Sequence, residues 1–206
     1  MQPAYIVSTQ AQALIAAGRF FFERGWVPAT SGNFSARLDA DTALITVSGR
    51  HKGRLDEDSF LRVDLQGRPL EARKPSAETL LHTLMYRREP AIGAVLHTHS
   101  VNSTVLSRLH REYLELNDYE VLKAFPGIDT HASTVRLPIF ANDQDIARLS
   151  GEVERYLDRR PDTPGYLIAG HGLYTWGASV DDAMRHVEAL EFLFECETLT
   201  RRMGQP

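Results

Sequence analysis

Cys196 is the single cysteine in a chain of 206 residues. That excludes an intramolecular disulfide framework and a thiolate metal centre, so any metal site must be built from histidine and carboxylate, and a reducing, cytoplasmic setting is expected. Long apolar runs are missing as well. No window reaches the length a membrane helix requires, and Met1-Gln2-Pro3-Ala4-Tyr5-Ile6-Val7 carries neither a basic nor an apolar leader region, so neither membrane association nor export is expected. Excess positive charge is also absent: 23 Lys plus Arg stand against 27 Asp plus Glu, for a formal charge of -4. Such a balance gives no long-range field for a polyanion, and nucleic acid is not an expected partner. There is no G-x-G-x-x-G run and no Walker loop, so a nucleotide cofactor has no support. With no repeat, low-complexity tract or linker, the chain reads as one domain over residues 1–206.

What is present is the composition of a globular core, 43% hydrophobic and 24% charged, together with eight histidines. A chain of this length buries roughly 70% or more of its unfolded surface and needs no structural metal. A metal, if bound, serves chemistry.

Thr9 to Gln12 has the spacing of a capping box, and Leu14, Ala17 and Phe21 recur on one helical face before Gly25. Extended runs follow at Asn33 to Leu38 and Thr42 to Val47, a hairpin around Asp39-Ala40-Asp41, and at Phe60 to Leu65. Helices are predicted from Ser76 to Arg88, Ser100 to Arg108, Gln144 to Leu157 and Asp182 to Arg201, with Met203 to Pro206 as a frayed tail. Strands are predicted at Gly93 to His97, Arg136 to Phe140 and Tyr166 to Ala169. The pattern is an α/β domain with helices on a mixed, partly antiparallel sheet.

His97 and His99 emerge at the end of an apolar strand. Side chains alternate along a strand, so the two imidazoles point the same way and form a natural chelating pair for a borderline divalent ion. His171 follows a second apolar strand and lies between Gly170 and Gly172, which allow close backbone approach. Any one of these could be a polar strand cap, but the three together point to a metal site with an open coordination position, the catalytic arrangement. Small-residue loops at Thr30-Ser31-Gly32-Asn33, Ser48-Gly49 and Pro75-Ser76 offer N–H groups and hydroxyls to phosphate; singly each reads equally as a turn, and Ser76 as an N-cap. Arg50, His51, Lys52 and Arg54 read either as a solvated face or as steering for a phosphorylated substrate. Glu78 and Glu120 could remove a proton acidified by the metal, but they also read as a first-turn acid and a surface helix residue. His82, His110 and His186 suggest only surface or helix positions.

Thr30-Ser31-Gly32-Asn33, Ser48-Gly49, Pro75-Ser76-Ala77-Glu78, His97-Thr98-His99-Ser100 and Gly170-His171-Gly172 occur in the order and spacing of the class II aldolase superfamily, which the chain resembles over nearly its whole length. The resemblance implies a three-layer α/β/α fold around a central mixed, mainly antiparallel sheet. It also implies one Zn2+ per subunit on His97, His99 and His171, and phosphate binding by Asn33, Ser48, Gly49 and Ser76, with Lys52 added on charge grounds. The implied assembly is a homotetramer with sites at subunit boundaries, acting on a small phosphorylated ketose. Gly25 to Ser35, Ile45 to Gly53, Glu120 to Lys123 and His171 to Gly177 are most similar to the branch that dehydrates 5-methylthioribulose 1-phosphate to 2,3-diketo-5-methylthiopentyl 1-phosphate in methionine salvage. In that branch Glu120 is the first choice as acid/base; in the aldolases the glutamate matching Glu78 has that part. A fuculose or rhamnulose 1-phosphate aldolase is the alternative. Ile128 to Ser133 stands where the superfamily's epimerase has Gly-Thr-Thr-His-Ala-Asp, and the three histidines argue against an adducin-like scaffold.

Overall fold

Short strands, several buried along their whole length, form the centre of the molecule, which a computed structural model describes over residues 4–204. β1 (Asn33–Arg37), β2 (Thr42–Thr46), β3 (Phe60–Asp64), β4 (Ala94–Thr98), β5 (Tyr113–Asn117), β6 (Thr134–Phe140), β7 (Gly165–Ile168) and β8 (Gly172–Gly177) make one eight-stranded sheet in the order β3-β2-β1-β4-β8-β7-β6-β5. Every neighbouring pair is antiparallel except β6 with β7.

Helices cover both faces. α1 (Ala4–Glu23), α3 (Val101–Leu109) and α5 (Val180–Arg202) pack on one side, where Leu14, Phe21, Leu106, Val187 and Leu190 meet Phe34, Leu96 and Leu173. α2 (Thr79–Arg88) and α4 (Ile146–Arg159) pack on the other, where Leu81, Leu84 and Val153 meet Ile45, Val95 and Tyr174. The expected three-layer α/β/α arrangement around a mainly antiparallel sheet is therefore present. Alternation sorts each strand: Val95 faces α2 and α4, and Leu96 faces α1 and α5.

Local chemistry sets the boundaries. Asp39 Oδ1 accepts from the Asp41 and Thr42 N–H groups at 2.8 and 2.7 Å and closes the β1–β2 hairpin. Ser100, Asp145 and Ser179 accept from backbone N–H groups and start α3, α4 and α5.

Several expectations need correction. Thr9 to Gln12 does not cap α1, which is already helical at Ala4: the Thr9 hydroxyl donates to the Tyr5 carbonyl at 2.9 Å, and Gln12 reaches Glu57 instead. β5 and β8 were not expected. β5 is a five-residue edge strand whose Leu-Glu-Leu core also suits a helix, and β8 is buried on both faces without alternation. His171 consequently lies in the tight turn joining β7 to β8, with its N–H donating to the Ile168 carbonyl at 3.0 Å. Glu120 opens a short 3-10 helix, Glu120–Ala124, at the surface, as the surface-helix reading expects. Of the predicted tail, Gln205 and Pro206 lie outside the described residues. Among the described residues, no helix is long and apolar enough to cross a membrane.

Candidate active site

β4 ends in the middle of the sheet, between β1 and β8, and this places its last residues at a meeting point of three chain segments. His97 and His99 both leave β4 toward the α2 side, and the β7–β8 turn brings His171 alongside them. Their Nε2 atoms converge: His99 lies 2.7 Å and His171 3.2 Å from His97. Nitrogens on a tetrahedral ion at about 2.0–2.1 Å sit roughly 3.3 Å apart, so the spacing suits a single divalent cation.

The protonation chemistry fits as well. His97 Nδ1 is 2.8 Å from the Leu173 carbonyl, which can only accept, so Nδ1 carries the hydrogen and Nε2 presents its lone pair to the cluster. Burial, followed by the neighbouring His171, holds His97 well below the usual histidine range. Burial and then the other two imidazoles push His99 down to about 2. Neutral imidazoles are the ligating form. Tyr174 stacks on His97 with ring centroids 4.0 Å apart, fixing the ring plane. Gly172 is required by space: a Cβ there would lie 2.0 Å from the Thr98 carbonyl oxygen, so only glycine lets β8 run this close to β4.

Glu78 enters at the start of α2. Its two carboxylate oxygens lie 3.4 Å from His97 Nε2 and from His171 Nε2, and the side chain is 12% exposed. Asn33 Nδ2 donates to Glu78 Oε2 at 2.7 Å. Asn33 Oδ1 in turn meets His82 Nε2, His82 Nδ1 meets Ser35 Oγ at 2.7 Å, and Ser35 Oγ meets Tyr86 OH at 2.7 Å. His82 lies on helix α2, as a helix reading expects, but it is not at the surface. It is fully buried, because its face of α2 lies over the polar side of β1. His186 is buried too, bonded to the Trp176 carbonyl.

Burial pushes the His82 imidazole down to about 4, from a reference near 6.5. Between those values the unfolded chain holds a proton the folded one does not. Stability is therefore unaffected above about pH 6.5 and is lost as pH falls toward 4, with His97 and His99 acting in the same direction. The urea midpoint of the metal-free protein is expected to be lower at about pH 5 than at about pH 7.5, and His82→Gln should lose less of it. Equal midpoints for the wild type would contradict this.

The small-residue loops meet beside the histidines. A bridge between Val47 and Pro75 and the Ser76 N–H to Thr46 carbonyl bond, 3.2 Å, hold Ser48-Gly49 next to Pro75-Ser76. Gly49 has φ +77 and is exposed, and Ser76 Oγ accepts from the Glu78 N–H at 3.3 Å. Lys52 is 2% exposed and is no part of a solvated face, unlike Arg50 and Arg54. Its ammonium donates to the Thr30 and Arg50 carbonyls at 2.6 and 2.5 Å and ties the first loop to the second. Burial lowers it to about 8, against the pull of the Glu78 carboxylate.

Within one chain the structure brings together His97, His99, His171, Glu78 and Asn33, flanked by Ser48, Gly49, Ser76 and Lys52. It leaves Glu120 at the surface, 71% exposed, beside Lys123 and His131. Sequence reasoning assigned no role to Tyr174, although it lies in the His171 to Gly177 stretch, or to His82, which carries no motif signal; their places opposite His97 and Asn33 reveal them.

A mainly antiparallel three-layer fold with three converging imidazoles and a carboxylate beside them is a scaffold that could hold a single metal ion. Residues 12–198 match the family described as Class II Aldolase and Adducin N-terminal domain, and the chain belongs to it. Among its relatives, the methylthioribulose-1-phosphate dehydratase of Pseudomonas paraeruginosa is 65% identical over 90% of this chain and 92% of its own length. The enzyme of the same name from Pseudomonas fluorescens is 61% identical over 93% of each. Of solved structures, Escherichia coli YgbL superposes with a TM-score of 0.81 at 25% identity, covering 95% of this chain and 91% of its own. The L-fuculose-1-phosphate aldolase of Thermus thermophilus superposes at 0.77 with 26% identity, covering 96% of this chain and 97% of its own.

Proposed function

We propose that this chain is a metal-dependent hydro-lyase that dehydrates 5-methylthioribulose 1-phosphate to 2,3-diketo-5-methylthiopentyl 1-phosphate, a step of methionine salvage. The dehydratase relatives at 61–65% identity carry the choice of substrate. The convergence of the three Nε2 atoms beside Glu78 carries the choice of chemistry. Zinc is the ion we assign to His97, His99 and His171, since an all-imidazole set suits a borderline cation. When bound, the ion supplies Lewis-acid polarisation of the ketose carbonyl, which acidifies the adjacent C3–H bond.

The chain's own residues do the rest. Asn33, Ser48, Gly49 and Ser76 receive the phosphate through hydroxyl, amide and backbone N–H groups, and Lys52 holds those loops in register. Glu120 takes the proton from C3 and returns one to the departing C4 hydroxyl, so that water leaves and the resulting enol becomes the 3-keto group. Glu78, fixed by Asn33, orients the imidazole cluster. In this reading Glu120 acts across a subunit boundary in a homotetramer. The exposed apolar stripe Val101, Val105 and Leu109 on α3, immediately after the histidine pair, supports such an assembly. Light scattering is expected to give a multiple of the 23.2 kDa chain mass, and a mass near 23.2 kDa would overturn the tetramer.

An aldolase reading has one observation in its favour: Glu78, and not Glu120, touches the imidazoles within the chain. Incubating the zinc-loaded protein with methylthioribulose 1-phosphate, and separately with fuculose and rhamnulose 1-phosphates, separates the two. Loss of water from the first supports the dehydratase, and release of dihydroxyacetone phosphate from the others rejects it. Lys52→Met is expected to raise KM for the phosphorylated substrate by on the order of 10-fold, because both loops lose their tie. An unchanged KM would remove Lys52 from phosphate binding.

A further inference from the structure

On the α5 side of the sheet, behind the histidines, lies a carboxyl with no part in the chemistry above. Glu191 is 2% exposed in the middle of α5, among Leu190, Leu193 and Phe194. Its Oε1 accepts from Thr98 Oγ1 at 3.3 Å, and the Ser100 side chain, whose hydroxyl donates to Ser103 Oγ at 3.0 Å, lies beside it. Its Oε2 has no partner among the described residues. Burial lifts its pKa to about 7. A leucine at this position would bury without the desolvation cost a carboxyl carries.

What Glu191 touches gives it a use. Thr98 stands between His97 and His99, and alternation sends its side chain through to the α5 face while the imidazoles go to the other. Ser100 follows His99 and starts α3 by accepting from the Ser103 N–H at 2.9 Å. The strand ladder ends at the Thr98–Leu173 pair, so beyond it the chain is held by the His99 N–H to Trp26 carbonyl bond, 2.7 Å, and by the α3 cap. One buried carboxyl therefore bonds Thr98, the residue before His99, and lies beside Ser100, the residue after it, where sheet hydrogen bonding stops.

We propose that Glu191 is a positioning residue for the metal centre, holding Thr98 from behind, beside Ser100, so that His97 and His99 present their Nε2 atoms to one point. The inference rests on the reading of His97, His99 and His171 as ligands. Partners of this kind typically change metal affinity by about 10–100-fold. Apo-protein is titrated with Zn2+ against a chromophoric chelator, and the thermal midpoint of the apo form is measured alongside. Glu191→Ala is expected to weaken Zn2+ binding by about 10–100-fold. Thr98→Val, nearly isosteric and without the donor, should do the same in a folded protein. Glu191→Gln keeps an acceptor oxygen and should stay within about threefold of wild type. Wild-type affinity in Glu191→Ala and Thr98→Val, even with a lowered apo midpoint, would assign Glu191 to packing and overturn the proposal; so would a loss in Glu191→Gln as large as in Glu191→Ala. A wild-type chain that binds no Zn2+ overturns the metal reading itself, a result visible before any variant is made.

Discussion

His99→Ala is expected to lose its zinc and essentially all turnover while the metal-free protein stays folded. The three Nε2 atoms are close neighbours, and removing one leaves two imidazoles to hold the ion. Losing a ligand should exceed the effect of an outer partner, so the zinc Kd is expected to rise by more than about 100-fold. His99 is the informative choice because it is only part-buried. His97, by contrast, is fully buried, donates to the Leu173 carbonyl and stacks on Tyr174. His97→Ala removes a ligand, orphans a buried carbonyl and opens a cavity against Tyr174, so it should also lower the apo thermal midpoint. The contrast is read by metal content after dialysis together with calorimetry of the apo forms. Full zinc occupancy in dialysed His99→Ala would remove His99 from the ligand set.

Glu120→Gln is expected to lower kcat by about 10²–10⁴-fold with zinc stoichiometry unchanged, since an acid/base contributes on that scale and the amide cannot carry the proton. The geometry of a single chain makes this a demanding prediction. Glu120 is exposed and paired with Lys123, which with His131 holds its carboxyl below the usual glutamate value. Glu78 is the carboxylate that meets His97 and His171. Glu78→Gln should therefore disturb zinc affinity and the Asn33 hydrogen bond together. If Glu78→Gln abolishes turnover with zinc retained and Glu120→Gln remains nearly as active as wild type, the acid/base is Glu78 and the boundary-crossing role of Glu120 falls. Mixing inactive Glu120→Gln with inactive His99→Ala protein gives a further readout. Shared sites should recover part of the activity, and sites complete within one chain should recover none.

The parts of this site that were legible in the sequence share a short range. His97 and His99 are two residues apart on a strand, so alternation alone puts them on one face, and the apolar run before them makes that strand plain. The start of α3 near Ser100 and the turn at Asp39 could be read because local chemistry acts across two or three residues. The misreadings have a common source as well. Thr9 to Gln12 has the spacing of a cap, yet Gln12 is taken by Glu57, 45 residues away. Lys52 sits in a basic run that looks solvated, yet the carbonyl of Thr30 draws it inside.

By itself, then, the sequence determined which segments would be helix or strand where periodicity was strong, that the two β4 histidines share one side, and, through its motifs, the family. Only the tertiary structure decided that His171 meets the pair from a turn between β7 and β8, that Glu78 and not Glu120 stands beside them in the chain, and that His82, Lys52 and Glu191 are buried. The reason is physical. Periodicity and capping depend on neighbours along the chain, whereas the burial of a polar group depends on a partner such as Ser35, Thr30 or Thr98, which lies 47, 22 or 93 positions away and becomes a neighbour only when the sheet is assembled.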